Sequence, residues 1–288
     1  MYTIYTDTSA NLSLHMIRQY DLHVIPLHYT IDGITYPPME GGGEGMTGKQ
    51  YYDAMRQGAA VHTSMINAST FGDAFKISLS AGVDIIYVGM SGGISGTHHA
   101  AMQAAGEMRE KYPERKIAVI DTRAASLGEG LAVLFAARLK AAGASFEDVV
   151  DETQKNSASV CQYFTVEDLT YLKKGGRISG AAALVGNILQ IKPILKGDEE
   201  GRIVFCHKER GRKRSMEALV SRFKELVADL NAPVGIAHGD SEEDAGYLAQ
   251  RIRESGHTGE MLMECYEPVT GSHVGPGTIA LFFYGVHR

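Results

Sequence analysis

One turn of this chain has the residue spacing of a nucleophile elbow. Gly89-Met90-Ser91-Gly92-Gly93 fits G-x-S-x-G directly after the apolar run Val83-Asp84-Ile85-Ile86-Tyr87-Val88. In a strand–turn–helix elbow such a serine stands at the C-terminal edge of a sheet. Its hydroxyl would need a base and a group to orient that base, and His238, Asp240 and His273 lie downstream. A serine hydrolase using Ser91 is therefore the alternative reading. Against it, an elbow passes straight into its helix, whereas Gly92, Gly93, Ile94, Ser95 and Gly96 intervene here. The same segment reads better as an anion-receiving turn. Ser91, Ser95 and Thr97 offer hydroxyl donors, the glycines let backbone N–H groups approach a ligand, and a helix begins there with its positive dipole end. Capping that helix would require only one hydroxyl.

Other groups could join such a site. Thr63-Ser64 is a second hydroxyl pair ahead of a predicted helix, and Asp7-Thr8-Ser9 follows the first strand, where α/β folds place ligands. In Lys173-Lys174-Gly175-Gly176-Arg177-Ile178-Ser179 one glycine supplies a left-handed C-cap, which leaves Arg177 for an anion or a structural carboxylate. His273 lies between Gly271-Ser272 and Val274-Gly275-Pro276-Gly277 and reads as part of a glycine-rich turn. The remaining histidines form no metal spacing. Two phosphate motifs fail on inspection. Gly43-Glu44-Gly45-Met46-Thr47-Gly48-Lys49-Gln50 places glutamine where a P-loop needs a hydroxyl for magnesium. Gly275-Pro276-Gly277-Thr278-Ile279-Ala280 copies the spacing of a dinucleotide fingerprint with no βαβ unit left to follow it. Lys208-Glu209-Arg210-Gly211-Arg212-Lys213-Arg214 puts cations at a helix start, against the macrodipole, and so suggests a negatively charged partner.

The elements that must position these groups follow α/β grammar. A chain of 288 residues implies one or two domains at ~150 residues each. Its 44% hydrophobic and 22% charged residues exclude disorder. No apolar run nears the ~18 residues of a membrane span. Thirty-four acidic against 28 basic side chains, net −6, disfavour nucleic acid. Cys161, Cys206 and Cys265 give no disulfide framework or zinc ribbon. The start Met1–Asp7 reads as a strand rather than a secretory signal, so the expected location is the cytoplasm.

Along the chain we predict a strand at 2–6, a helix at 12–20 and a strand at 22–29. A hairpin turn at Asp32-Gly33 and a Pro/Gly excursion at 37–48 come next. Then follow a helix at 49–57, the Val61–Ser64 segment, a helix at 69–80, a strand at 83–88, a helix at 97–111, a strand at 116–120 and a helix at 129–142. Ser145 opens one more helix. From about 156 the order becomes strand 158–165, two helices, strand 191–196, hairpin 197–201, strand 201–208, helix 213–230, strand 234–238, helix 242–255 and two closing strands. This predicts a largely parallel N-terminal α/β domain (1–155) and a C-terminal α+β domain (156–288) with a mixed or antiparallel sheet. A pocket between or beside the two is expected.

Taken in order, these segments resemble the DegV family, which includes the fatty-acid-binding subunits of bacterial fatty acid kinase. The resemblance covers nearly the whole chain. It rests on Thr6-Asp7-Thr8-Ser9-Ala10, Ile25-Pro26-Leu27 with Ile31-Asp32-Gly33, Thr63-Ser64, Ser91 through Thr97, and Ile120-Asp121-Thr122. Later matches are Tyr171 through Ile178, Ile191 through Leu195, the basic run, and Ser272 through Gly277. The resemblance implies a two-domain, non-catalytic lipid carrier with no cofactor. It would bury one long-chain fatty acid such as palmitate, hold its carboxylate with Thr63 and Ser95, and present it to an ATP-dependent kinase subunit. Ser64, Ser91, Gly96, Arg177 and His273 are implied neighbours of the head group, and Arg210 and Arg212 the partner contact. The chain departs from the family pattern twice. Thr63-Ser64-Met65-Ile66 stands where Thr-Ser-Gln-Pro is common, and Ser91-Gly92 where a Ser-Ser pair is.

Overall fold

The computed structural model describes residues 1–36, 46–178 and 191–288. The chain opens on β1 (Tyr2–Asp7), a 3-10 turn (Thr8–Ala10), α1 (Leu14–Gln19), β2 (His23–Ile25), β3 (His28–Ile31) and β4 (Ile34–Tyr36). Next come α2 (Gly48–Arg56), β5 (Val61–Ser64), α3 (Ala68–Ser80), β6 (Asp84–Gly89), α4 (Thr97–Lys111), β7 (Ile117–Asp121) and α5 (Leu127–Ala141). The rest is α6 (Phe146–Ser157), β8 (Val160–Thr165), α7 (Thr170–Lys174), β9 (Ile191–Gly197), β10 (Ile203–Arg210), α8 (Arg212–Leu226), β11 (Val234–His238), α9 (Glu242–Glu254), β12 (Met261–Cys265), α10 (Pro268–Val274) and β13 (Ile279–Tyr284).

These strands form a mixed α/β fold. A four-stranded sheet, ordered β2-β1-β6-β7, is parallel throughout. Its inner strands β1 and β6 are buried along nearly their whole length, as strands covered on both faces must be. A small antiparallel sheet, β4-β3-β5, stands beside it. The third sheet, β10-β9-β8-β13-β11-β12, is antiparallel except for the parallel β11–β12 pair.

Helix α5 joins the layers. It touches β1 and β6 on one side and β8, β11 and β13 on the other. Leu127 through Leu134 are accordingly all buried, the mark of a helix with no solvent face. Its glycines permit that approach: a Cβ on Gly130 would stand 2.5 Å from the Ala10 carbonyl oxygen, and one on Gly128 2.8 Å from Phe282. The opposite face of the six-stranded sheet is covered by α8 and α9 through Leu219, Phe223, Leu248 and Ile252.

Four sequence expectations need correction. The run 22–29 is two strands, because Pro26 has no N–H to continue a ladder; β2 joins the parallel sheet and β3 leaves for the small one. The first helix starts at Leu14 under a Ser13 cap, while Asn11 is left-handed (φ 55°) and ends the preceding 3-10 turn. The long helix at 213–230 ends at Leu226. The closing segment contains α10 between its strands, started by Glu267 as N-cap and Pro268 at the first position. Most of the 37–48 excursion and the second helix expected after Arg177 lie outside the described residues. What remains of the P-loop match is a capping box: Thr47 and Gln50 cap α2 reciprocally, and the exposed Lys49 pairs with Asp53.

Candidate functional site

A cavity of ≈ 290 Å³ lies where the sheets converge. Its wall is largely apolar, with Leu27, Met90, Phe164, Ile203, Val269 and Phe282 from six different segments. Its polar lining is concentrated in the residues that the sequence singled out. Thr63 and Ser64 arrive on β5, Ser95 and Gly96 at the start of α4, Arg177 just after α7, and His273 near the end of α10. These come from points as far apart as 63 and 273 in sequence, and the fold brings them to one cavity.

Local structure fixes each of them. Thr63 is a strand residue rather than a loop residue, in register with Tyr29 of β3. Its Oγ1 is 3.2 Å from His273 Nε2. Burial first, and then the Arg177 charge, push His273 down to about 4, so the imidazole is neutral near pH 7. A neutral ring protonated on Nε2 donates to Thr63 Oγ1 and leaves the threonine hydroxyl hydrogen free for a ligand oxygen. Arg177 donates through Nε to the Ile94 carbonyl at 3.2 Å and through Nη1 to the Gly175 carbonyl. The left-handed residue of the α7 C-terminus is Gly176 (φ 69°). Ser95 Oγ accepts from Thr97 N at 3.2 Å and donates to Thr97 Oγ1 at 2.9 Å. The bond from Thr97 N fixes the oxygen, and a rotation of the hydroxyl hydrogen alone would redirect it to a ligand.

Ser91 does not join them. It is fully buried, absent from the cavity lining, and its Oγ donates to the Gly201 carbonyl at 2.8 Å while accepting from Gly93 N at 3.0 Å. Its hydroxyl ties the glycine turn to the β9–β10 hairpin, and no histidine is among its partners. His238 accepts instead from Ser241 N at 3.1 Å. The hydrolase reading is therefore not supported, and Ser91, expected beside the head group, does not line the cavity. Ser91→Ala should lower unfolding free energy by ~1–3 kcal/mol, because the Gly201 carbonyl loses its buried donor. Denaturant titration measures this; a variant as stable as wild type would contradict the assignment.

Sequence reasoning named the Asp7-Thr8-Ser9 turn that seats these walls but missed its partner, Glu129. Ser9 Oγ lies 2.5 Å from Asp7 Oδ1 and 2.6 Å from Glu129 Oε2. A hydroxyl has one hydrogen, so one carboxyl must carry the other proton. Asp7 also accepts from Ser9 N at 2.9 Å and Tyr87 OH at 2.6 Å. Glu129, fully buried on α5, is pushed well above the usual carboxylate range by desolvation and then by Asp7. Desolvation raises Asp7 as well, while the hydrogen bonds from Ser9 and Tyr87 lower it, and the assignment is Glu129 neutral and donating to Ser9, with Ser9 donating to Asp7. From this turn Thr8 Oγ1 accepts from Leu27 N at 3.0 Å and Asn11 Oδ1 from Glu267 N at 2.8 Å, which sets a cavity wall and the start of α10. Met65, Ser126, Gln162 and Thr270 also line the cavity unforeseen. The substitution at Met65 was the one visible signal.

The basic run sits elsewhere. Arg210 is exposed at the end of β10, and Arg212 pairs with Asp244 at 2.8 Å; neither lines the cavity. The three cysteines are free. Among the described residues no group of side chains is arranged to hold a metal ion, and no helix is long and apolar enough to cross a membrane.

Comparison with known proteins gives one consistent result. Residues 1–286 match the family model described as "uncharacterised protein, DegV family". A DegV domain-containing protein of Clostridium perfringens is 37% identical over 285 residues, covering 99% of this chain and 97% of its own. Among solved structures, a DegV family protein from Thermus thermophilus, described by its fatty acid binding, superposes with a TM-score of 0.88 at 31% identity, covering 99% of both chains. A fatty acid binding DegV family protein from Streptococcus agalactiae gives 0.86 at 28%, with 98% of each chain covered.

Proposed function

This chain belongs to the DegV family, and on that premise we propose that its cavity holds one long-chain fatty acid, such as palmitate. The observation that carries the reading is one cavity with a largely apolar wall on which Thr63, Ser95, Arg177 and His273 converge from four separate parts of the chain. Burying about 15 methylenes at ~0.8 kcal/mol each offers ~12 kcal/mol before ordering and association costs, so the tail supplies affinity. The head group supplies orientation. Thr63 and Ser95 donate to the carboxylate, with Ser64, Gly96, Arg177 and the neutral His273 beside it. The guanidinium provides the compensating charge that a buried carboxylate needs.

In this reading the protein is a non-catalytic carrier that works without a cofactor in the cytoplasm, where its three unpaired cysteines would remain thiols. It presents the carboxylate to an ATP-dependent kinase. A carboxylate oxygen attacks the γ-phosphorus of ATP, the bond to the ADP oxygen breaks, and an acyl phosphate results. The run at 208–214 is the docking surface for that kinase. Arg210 is the exposed member, and Arg212 is already engaged by Asp244. Arg210→Glu should therefore slow acyl-phosphate formation more than Arg212→Glu, most strongly at low salt, with lipid binding unaltered. Loss of lipid with kinase binding intact would assign these arginines to the pocket. The division at 155/156 is likewise our proposal for how the carrier is organised.

Titrating delipidated protein with palmitate and with hexadecanol tests the central reading. Palmitate should bind at least tenfold more tightly, since the alcohol keeps the tail but discards the charge-assisted hydrogen bonds. Equal affinities would remove the head-group site.

A further inference from the structure

We propose that Ser126 is a second polar contact inside the cavity, and that the protein accepts fatty acids bearing a hydroxyl or oxo oxygen part-way along the chain. The proposal rests on the fatty-acid reading above. Ser126 is 1% exposed and lines the cavity, while its Oγ is closed off from the open volume and has no hydrogen-bond partner, so a χ1 rotation that breaks no bond brings it to a ligand oxygen. A buried hydroxyl left unpaired is costly. A second cost falls on the same residue, because its backbone sits at φ 53°, ψ −141°, outside the regions a serine ordinarily occupies.

Position explains why the hydroxyl is free. Ser126 is the N-cap residue of α5, a helix of 15 residues, but it makes no side-chain cap bond. Ser13, Thr47, Asn67 and Ser145, all on extended backbone, bond back to their own helices. The unusual backbone of Ser126 turns its side chain away from that role. Its surroundings offer no substitute. Gln162, also on the cavity wall, accepts from Ala125 N at 3.1 Å and donates to the Arg123 carbonyl at 3.0 Å, so its amide is committed to the loop before α5.

The oxygen Ser126 awaits is not the carboxylate of the proposed head-group site. Thr63, Ser95, Arg177 and His273 come from β5, the start of α4, the end of α7 and α10, whereas Ser126 follows Ala124 and Ala125 directly and Phe282 packs against Gly128, two residues on. A ligand with its carboxylate at the first group would lay its hydrocarbon along the second. A serine hydroxyl can donate or accept, so either a hydroxyl or an oxo substituent satisfies it. An unsubstituted chain leaves it unpaired.

The test measures binding of stearate and of a series of positional isomers of monohydroxystearate to wild type, Ser126→Ala and Ser126→Gly. Glycine removes both the hydroxyl and the backbone strain, so it guards against misfolding of the alanine variant. In wild type at least one isomer should bind about three- to tenfold more tightly than stearate. Both variants should lose that preference while stearate affinity changes less than about twofold. Wild type that binds stearate but prefers no isomer overturns the proposal and leaves the fatty-acid reading standing. A preference that survives in both variants also overturns it. Failure to bind stearate at all removes both readings together.

Discussion

Palmitate affinity should fall by about 1–3 kcal/mol for Thr63→Val and for Ser95→Ala, roughly five- to 150-fold each, the range for a hydrogen bond to a charged group. The two substitutions differ in what else they disturb. Valine is isosteric with threonine and suits a strand, so β5 should persist, and the loss is confined to the ligand and to His273 Nε2, 3.2 Å away. Ser95→Ala also deletes the acceptor for Thr97 N, at a stability cost of ~1 kcal/mol that thermal unfolding would reveal separately from binding. In the proposed site both hydroxyls serve one anion, so the double variant should lose less than the sum of the single effects. Isothermal titration on the folded double variant decides the matter: unchanged affinity for palmitate would sink the head-group assignment.

Glu129→Ala should destabilise the fold by about 2–5 kcal/mol, because it opens space in α5 between two sheets and strips Ser9 and Thr6 of a buried partner. Glu129→Gln should cost little. Glutamine can donate to Ser9 Oγ and accept from Thr6 much as the neutral acid does. The contrast also appears in pH dependence. Glu129 has a folded pKa raised above its unfolded value of ~4.3, so its contribution is complete below that pH and is lost as pH rises through the folded value. Glu267, pushed up to about 7 by burial, adds a loss of the same sign between ~4.3 and about 7. Buried His273, pushed down to about 4, works the other way between that value and its unfolded ~6.5, so the sign is read in a difference: the melting temperature of Glu129→Gln relative to wild type should rise from pH 5 to pH 8. A difference between variant and wild type that stays constant or falls over this interval would mean that Glu129 is ionised in the fold. Glu129→Ala should also weaken palmitate binding, since the Asp7–Ser9–Glu129 network seats the turn that holds Leu27 and α10.

How much of this was legible follows from particular residues. Strand β6 and its glycine turn are local patterns, and the anion-receiving reading of that turn came from its hydroxyls, its glycines and the helix start that follows. Thr63, Arg177 and His273 each looked ordinary, and only the ordered resemblance joined them into one site. Helix α10 was hidden because Gly271, Gly275, Pro276 and Gly277 read as a turn, although Glu267-Pro268 is a helix start. Ser91 misled for a different reason: its partner, Gly201, is 110 residues away, and no local pattern reports such a bond. The positive φ of Ser126 carried no signal, because serine is not a residue that marks left-handed backbone. The shared proton of Asp7, Ser9 and Glu129 requires strand β1 and helix α5 to meet, which is a property of the layers rather than of either segment.

The most direct measurement is mass spectrometry of the organic extract from denatured, freshly purified protein expressed in a bacterial host. The account predicts a long-chain fatty acid at close to one equivalent per chain, strongly reduced in the Thr63→Val, Ser95→Ala double variant. Repeated preparations without fatty acid, together with no thermal shift when palmitate is added to the empty protein, would contradict it.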